Sequence, residues 1–457
     1  MTAVNTKKAI IAVNRFGLGA AGAELSDAMG DPEQWLLQQL VSPAFDPALG
    51  NTESAFNIIA EIQSLKAKRR EGDANANLRG KAKGPTVGQE IIMPYRQRFL
   101  KDSLTFSVNT KTPFAVRLLD FFSNHFSVSS LTHSLTILSP TLEREAIAPN
   151  LFGKFEDMLI AVEQHPAMLI YLNNEKSVGP NSLIGRRSRG LNENLAREIL
   201  ELHTLGVAGG YTLEDIRQLA MAISGWTLNR EDKKRKLGFE FRRKAHEPGV
   251  REVLGRSYTD TGLDQGQAIL RDLARDKKTA EFISYKLAQH LIADKPPQAL
   301  VAAMTKTWMK TQGDIKAVVT TLVKHKQSWD AEAKKYKTPR EFIVSAMRAI
   351  NDNKAVDQNL LKVSLRALTQ MGHKPFGSGS PAGHGQLNRD WTGSDALMKR
   401  IDWVNFISKR TRYSPAFIAS RIFDSQLPPL TVKLLAGAES RAQGLALLFL
   451  CPEFQYR

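Results

Sequence analysis

The chain has almost no cysteine. Cys451 stands alone among 457 residues, so an intrachain disulfide and a thiolate metal cluster are both excluded. Its setting in "LLFLCPEF" points to a buried, inert thiol. Long apolar runs are missing too: nothing approaches the roughly 18 consecutive apolar residues of a membrane-crossing helix. The opening "MTAVNTKKAIIAVNRFGLGA" has two lysines, but Asn14 and Arg15 cut its apolar stretch short, which makes a poor signal peptide. As written, the chain reads as cytoplasmic unless a leader was removed or export depends on a partner. The P-loop, the Rossmann glycine fingerprint, HExxH and the GxSxG nucleophile elbow are all absent, which removes several familiar enzyme classes. No two of the nine histidines lie three to five residues apart, so no local metal-ligand pair exists.

Acidic residues are the scarcer charge, 46 against 63 basic, for a net charge of +17. Such an excess attracts polyanions at long range. Much of it is local, in "KAKRREGDANANLRGKAKG" (Lys66–Gly84) and "REDKKRKLGFEFRRKAH" (Arg230–His246). Apart from Phe239 and Phe241 these runs lack interleaved aromatics, and no zinc finger or RNP signature accompanies them. Charged, solvated loops explain them better than a specific nucleic-acid site.

What is present is helical periodicity, nearly throughout. Asp31 with Pro32 opens "DPEQWLLQQL", and Thr212 with Asp215 resembles a capping box at the head of "YTLEDIRQLAMAISGW". Similar starts precede "AEFISYKLAQHLIAD", "IKAVVTTLVKH" and "REFIVSAMRAI". The pattern predicts a mainly α protein, one large multi-helix unit over 1–457 with no evident linker. A short β-hairpin is expected near 236–255, with Phe239 and Phe241 on one strand and Val253 and Leu254 on the other, across Pro248-Gly249. Two loops look long. The polar stretch of about 72–89 reads as mobile. The glycine-rich 372–390, "GHKPFGSGSPAGHGQLNRD", is bracketed by apolar helices and reads as a pocket rim or lid.

The densest chemistry lies in "GLNENLAREILELHTLGV", Gly190 to Val207. Asn192 is a good N-cap and Gly206 a natural stop. At about 100° per residue, Leu195, Ile199 and Leu202 form an apolar stripe, while Glu193, Arg197 and Glu201 stack at i, i+4 spacing opposite. Asn194 and Glu198 lie beside that ladder. The helix fits a surface salt-bridge ladder, and it equally fits a buried polar face, because Ala196, Leu200 and His203 widen the apolar arc. Buried carboxylates around an arginine would have their pKa values pushed apart, which suits acid/base work or a purely structural network. Elsewhere, Asn124 and His125 sit among Phe121, Phe122 and Phe126, where His125 fits a hydrogen-bonded core histidine or a proton shuttle. His165 before Pro166 fits a helix cap, and His246 in "KAHEPG" a turn.

Together, "LDFFSNHFSVS", "PAMLIYLNN", "GLNENLAREILELHTLGV", "YTLEDIRQLAMAISGWT", "KAHEPGVREVLG", "TAEFISYKLAQHLIADKPP" and "CPEFQYR" resemble the bacterial domain of unknown function 1800 family, from near Asn14 to the C-terminus. The resemblance implies no established activity and no known cofactor. Matching positions are Asn124, His125, Asn192, Glu193, Asn194, Arg197, Glu198, Glu201, His203, Thr204, Trp226 and His246. The chain departs from the family's pattern at Phe121-Phe122-Ser123, where a tryptophan is usual, at Leu172-Asn173-Asn174, where Leu-Asp-Asn is common, and at His246-Glu247, where His-Asp is common. Similar proteins are often encoded beside the alkaline phosphatase-like domain of unknown function 1501 family, whose members often carry a twin-arginine leader. That neighbourhood implies envelope-related work and a possible partner.

The shared polar residues tilt the expectation toward a buried polar centre. As an enzyme, the chain would be a hydrolase on a carbohydrate or polyanionic substrate. Glu198 or Glu201 would then be acid/base, His125 or His246 would shuttle protons, and Arg197 and Asn192 would hold the substrate, with Glu193, Asn194, His203, Thr204, Asn124 and Trp226 around it. As a scaffold, the same centre would fix helix register while the basic loops dock an acidic partner. An open cavity at the Glu193–Glu201 face, or a sealed one, separates the two.

Overall fold

The structure is a computed structural model, and it describes residues 3–43, 54–76, 86, 88–130, 132–187, 190–229, 238–351 and 355–457. Among these are twenty-two α-helices and four strands of three residues each, a mainly α architecture with a small β insertion. Helix starts are where the sequence chemistry puts them. Asp31 accepts from the Gln34 amide, and Thr212 and Asp215 cap reciprocally, as do Thr338 and Glu341. Asp276 and Asp314 cap their helices in the same way, each satisfying an N–H that would otherwise have no partner. His165 Nδ1 accepts from the Ala167 amide and caps the Pro166–Tyr171 helix.

The strands pair differently from the expected hairpin. Phe239–Phe241 pairs antiparallel with Trp226–Leu228, so its partner lies upstream rather than across Pro248-Gly249. Arg251–Val253 turns at Leu254-Gly255 and pairs with Arg256–Tyr258. Both turn residues have positive φ, 52° and 71°, which a two-residue hairpin turn of the primed type requires. The stretch expected to loop from residue 72 is helical as far as Ala76. Residues 77–85, and 230–237 of the second basic run, lie outside the described residues.

Two large apolar cores organise the helices, beside a small third of Ala9, Val13, Ala20, Leu25 and Ala28. The larger gathers Phe16, Phe122, Phe126, Phe155, Trp226 and Trp308, and the other gathers Phe342, Trp403, Phe449 and Phe454. Cys451 is buried beside the second, and burial pushes its thiol up to about 12, consistent with an inert role. The Pro113–His125 helix serves both cores, sending Phe114, Leu118 and Phe122 into the first and Val116 into the second. Its polar residues therefore sit at the seam between the two.

Among the described residues, four short π-helical turns adjoin the α-helices: Ala12–Phe16, Gly88–Ile92, Glu143–Ile147 and Ile199–His203. Such turns re-aim side chains and recur at functional sites. Two of them carry residues of the clusters below.

Candidate functional site

The expected helix forms as Asn194–Glu198 continued by the π turn Ile199–His203, with Glu193 rather than Asn192 at its N-cap, although Asn192 Oδ1 accepts from the Asn194 amide at 2.9 Å, and with Thr204 at its C-cap, two residues before Gly206 at φ +81°. Its polar ladder is a surface feature. Arg197 lies 3.9 Å from Glu193 and 3.5 Å from Glu201, and their side chains are 38%, 42% and 28% exposed respectively. The buried polar centre expected at this face is therefore not at the ladder. Its residues point away from Leu195, Ala196, Ile199 and Leu200, which enter the core, and water solvates the charges. Asn194 is exposed, while Glu198 is half-buried, its carboxyl pushed up by burial and the neighbouring Glu201 against the pull of His203.

The remaining sequence candidates fall in three other places. The π turn Ile199–His203 rotates His203 inward, where Nδ1 donates to Glu163 Oε1 at 2.8 Å, both groups fully buried. Thr204 Oγ1 donates to the Ile199 carbonyl. His125 Nε2 donates to the His203 carbonyl at 3.2 Å, and His125 Nδ1 accepts from Lys286 Nζ at 2.9 Å. This is a hydrogen-bonded core histidine, held neutral by burial and by the Lys286 charge. His246 lies elsewhere, its Nδ1 on the Ser224 carbonyl and its Nε2 3.7 Å from Asp260, and burial lowers its pKa. Trp226 is fully buried against Phe239.

A cleft of about 110 Å³ opens at the seam between the two cores. Of the sequence candidates, only Asn124 lines it. Arg117, Asp120 and Asn124 are at i, i+3 and i+7 on one face of the Pro113–His125 helix. Opposite stand Glu143, on its π turn, Arg340 and Glu341 at the head of the Pro339–Ile350 helix, and the glycine-rich loop with His373, Phe376, Ser378, His384 and Gln386. Asn124 fastens that loop from both sides: its Nδ2 donates to the His384 carbonyl at 3.1 Å and its Oδ1 accepts the His384 amide at 2.7 Å. Ser378 is held by the hydroxyls of Ser127 and Ser129. Phe376, with φ +52°, occupies a conformation that non-glycine residues rarely adopt, and its carbonyl accepts from the Ser130 amide.

The cleft's charges are unevenly shared. Asp120 accepts from Arg340 Nε at 3.2 Å, and Arg340 is braced in turn by the hydroxyls of Ser103 and Ser107. Glu143 accepts the Ser123 hydroxyl, at 2.7 Å. Burial, then the charge of Asp120, push Glu143 up to about 7. Burial raises Asp120 as well, against the pull of Arg340 and Arg117. The Arg340 guanidinium favours the charged form of Asp120, and that charge in turn favours the protonated form of Glu143. Deeper in, Glu341 is gripped by Arg117 and by Arg457 at 2.8 Å.

The imidazoles are neutral. Gln386 Nε2 donates to the His384 carbonyl, so its Oε1 accepts from His290 Nδ1 at 2.8 Å, and His290 Nε2 is left as a bare acceptor, buried and without a partner among the described residues. Burial, then the Arg457 charge, take His290 down to about 3. His384 Nε2 donates to the Lys374 carbonyl, and His373 stacks on Trp391 at 5.0 Å between centroids, its Nδ1 also lacking a partner. Among the described residues, no group of three or more histidines, cysteines and carboxylates is placed to hold a metal ion.

Sequence reading missed Asp120, Glu143, Arg340, His290, His373 and His384. The signal that could have found the first is the i, i+3, i+7 spacing of Arg117, Asp120 and Asn124 in an otherwise apolar helix. Comparison with curated proteins and with solved structures returns no match. The family model described as Protein of unknown function (DUF1800) matches residues 11–456, nearly the whole chain, and the chain belongs to that family.

Proposed function

We propose that this protein is a hydrolase working by acid–base catalysis on a neutral, hydroxyl-rich substrate of the carbohydrate class, bound in the Asp120–Glu143 cleft. The observation that carries this reading is the carboxyl pair itself: Asp120 accepts from the Arg340 guanidinium, and Glu143, on the Ser123 hydroxyl, is pushed up to about 7 by burial and by the Asp120 charge. A protonated carboxyl beside an ionised one is the equipment for breaking an acetal or ester bond. Glu143 gives its proton to the leaving oxygen, and Asp120 receives the proton of an attacking water. The bond to the leaving oxygen breaks as the bond to the water oxygen forms.

Charge favours a neutral substrate over a polyanion. Each arginine lining the cleft is matched by a carboxylate, Arg340 by Asp120 and Arg117 by Glu341. The rest of the wall is hydroxyls, amides and neutral imidazoles, including the bare acceptor His290 Nε2, which suits a donor such as a sugar hydroxyl.

Glu198 and Glu201, the sequence-based acid/base candidates, face a solvated ladder where no pair is isolated from water, so the cleft carries the enzyme reading better. For the His125, His203 and Glu163 centre, the scaffold reading is favoured by its sealed hydrogen bonds. Envelope-related work beside a domain of unknown function 1501 family partner belongs to the same proposal, supported by the family resemblance.

The test is turnover of a panel of aryl glycosides and oligosaccharides, with phosphate and sulfate esters alongside, by wild type, Glu143→Gln and Asp120→Asn. Cleavage of a glycoside that both variants lose supports the reading. Cleavage of the anionic esters alone, or activity indifferent to both changes, contradicts it.

A further inference from the structure

On the far face of the Pro113–His125 helix, away from the cleft, Lys286 has an unusual set of neighbours. It stands on the Lys277–Leu291 helix, and its Nζ donates to His125 Nδ1 at 2.9 Å. Because His125 Nε2 already donates to the His203 carbonyl, the ring is the tautomer with a bare Nδ1, and the contact is ammonium to neutral imidazole. The other neighbour is the face of Phe282, one turn back, at 5.2 Å. Among the described residues no carboxylate lies within ion-pair distance of Lys286, and the nearby Glu163 is committed to His203. Two lysines of the same helix differ: Lys277 and Lys278 are exposed and both pair with Glu281, at 3.8 and 3.5 Å.

A lysine without a counter-charge, partly desolvated by aromatic rings and hydrogen-bonded to a base, is the arrangement that makes an amine nucleophilic. We propose that Lys286 is a carbonyl-capture site, at which its amine adds to a small aldehyde or ketone to form an imine. The Nζ lone pair bonds to the carbonyl carbon, the carbonyl oxygen is protonated and leaves as water, and the C=N bond forms in its place. The proton that the ammonium must first give up passes to solvent. No oxidant or reductant enters. Burial takes the Lys286 ammonium down to about 8, so a usable share is free amine near neutrality. The side chain is only partly buried, which leaves a small reagent access. The site is independent of the cleft chemistry.

The experiment uses the full chain with limiting propionaldehyde and cyanoborohydride at pH 7.5, quenched early and read by peptide mass spectrometry. Lys286 should be alkylated at least ~10-fold faster than Lys277 and Lys278, whose ammonium groups are held by Glu281. The same labelling in concentrated urea should erase that advantage, because it depends on the fold. A Lys286 rate equal to or below that of its two helix neighbours in the native protein overturns the proposal, and so does an advantage that persists in urea.

Discussion

Gly383 passes so close to Asn124 that a Cβ on it would lie 2.4 Å from the Asn124 carbonyl oxygen and 2.7 Å from Oδ1. It also has φ +82°, a conformation that side chains resist. This approach lets the Asn124 amide grip the His384 backbone and lay the glycine-rich loop along the cleft. Gly383→Ala should therefore cost about 1–3 kcal/mol and free the loop. Hydrogen exchange at the His384 amide should speed up in the variant, and an unchanged rate would mean that the loop is held elsewhere.

The exposed ladder makes a second expectation. Arg197→Ala removes two long ion pairs that water already screens, so it should destabilise by under about 1 kcal/mol. A loss of several kcal/mol in urea denaturation would mean that the face is buried in solution.

Glu341 should behave in the opposite way. Burial alone would raise its pKa, but Arg457 and Arg117 outweigh burial and hold its carboxyl well below the ordinary 4.5. Glu341→Gln leaves two buried guanidinium groups short of their counter-charge and should cost about 3–5 kcal/mol. Because the folded pKa is depressed, this group's contribution is complete above the unfolded value and drains away as pH falls below it. Wild type should thus lose stability on acidification below about 4.5 more steeply than Glu341→Gln, which denaturation at pH 7 and pH 3.5 measures.

Glu143 carries the reverse linkage. Its folded pKa, near 7, lies above the ordinary 4.5, so the folded state binds more protons than the unfolded state between those values. Stability from this group falls as pH rises through that window and is level above it. Glu143→Gln removes the penalty, so it should raise the melting temperature relative to wild type more at pH 8 than at pH 5. An equal shift at both would leave the carboxyl unperturbed.

Helix starts were legible because a cap is a local bargain between one side chain and an amide two or three residues on, as at Asp31, Thr212 and Thr338. The strand partners were not, since three-residue strands carry too little pattern to choose between Trp226–Leu228 and a downstream segment. Asn124 was found because it stands out in an apolar helix, and Asp120, four residues earlier on the same face, was passed over as an ordinary charge. Glu143 and His373 join Asp120 only through tertiary packing across sequence gaps that no periodicity spans. The Glu193, Arg197 and Glu201 spacing was read correctly, but spacing on a helix says which residues stack and not which face meets water.

The acid–base role proposed for the cleft requires a carboxyl that keeps its proton near neutrality, and carboxyl carbon NMR across pH 3 to 9 observes that directly. Wild type should show one glutamate resonance titrating near 7, absent from Glu143→Gln and lowered in Asp120→Asn, where the neighbouring charge is gone. If every glutamate side chain titrates below about 5, the Asp120–Glu143 pair is two ordinary carboxylates and the account is wrong.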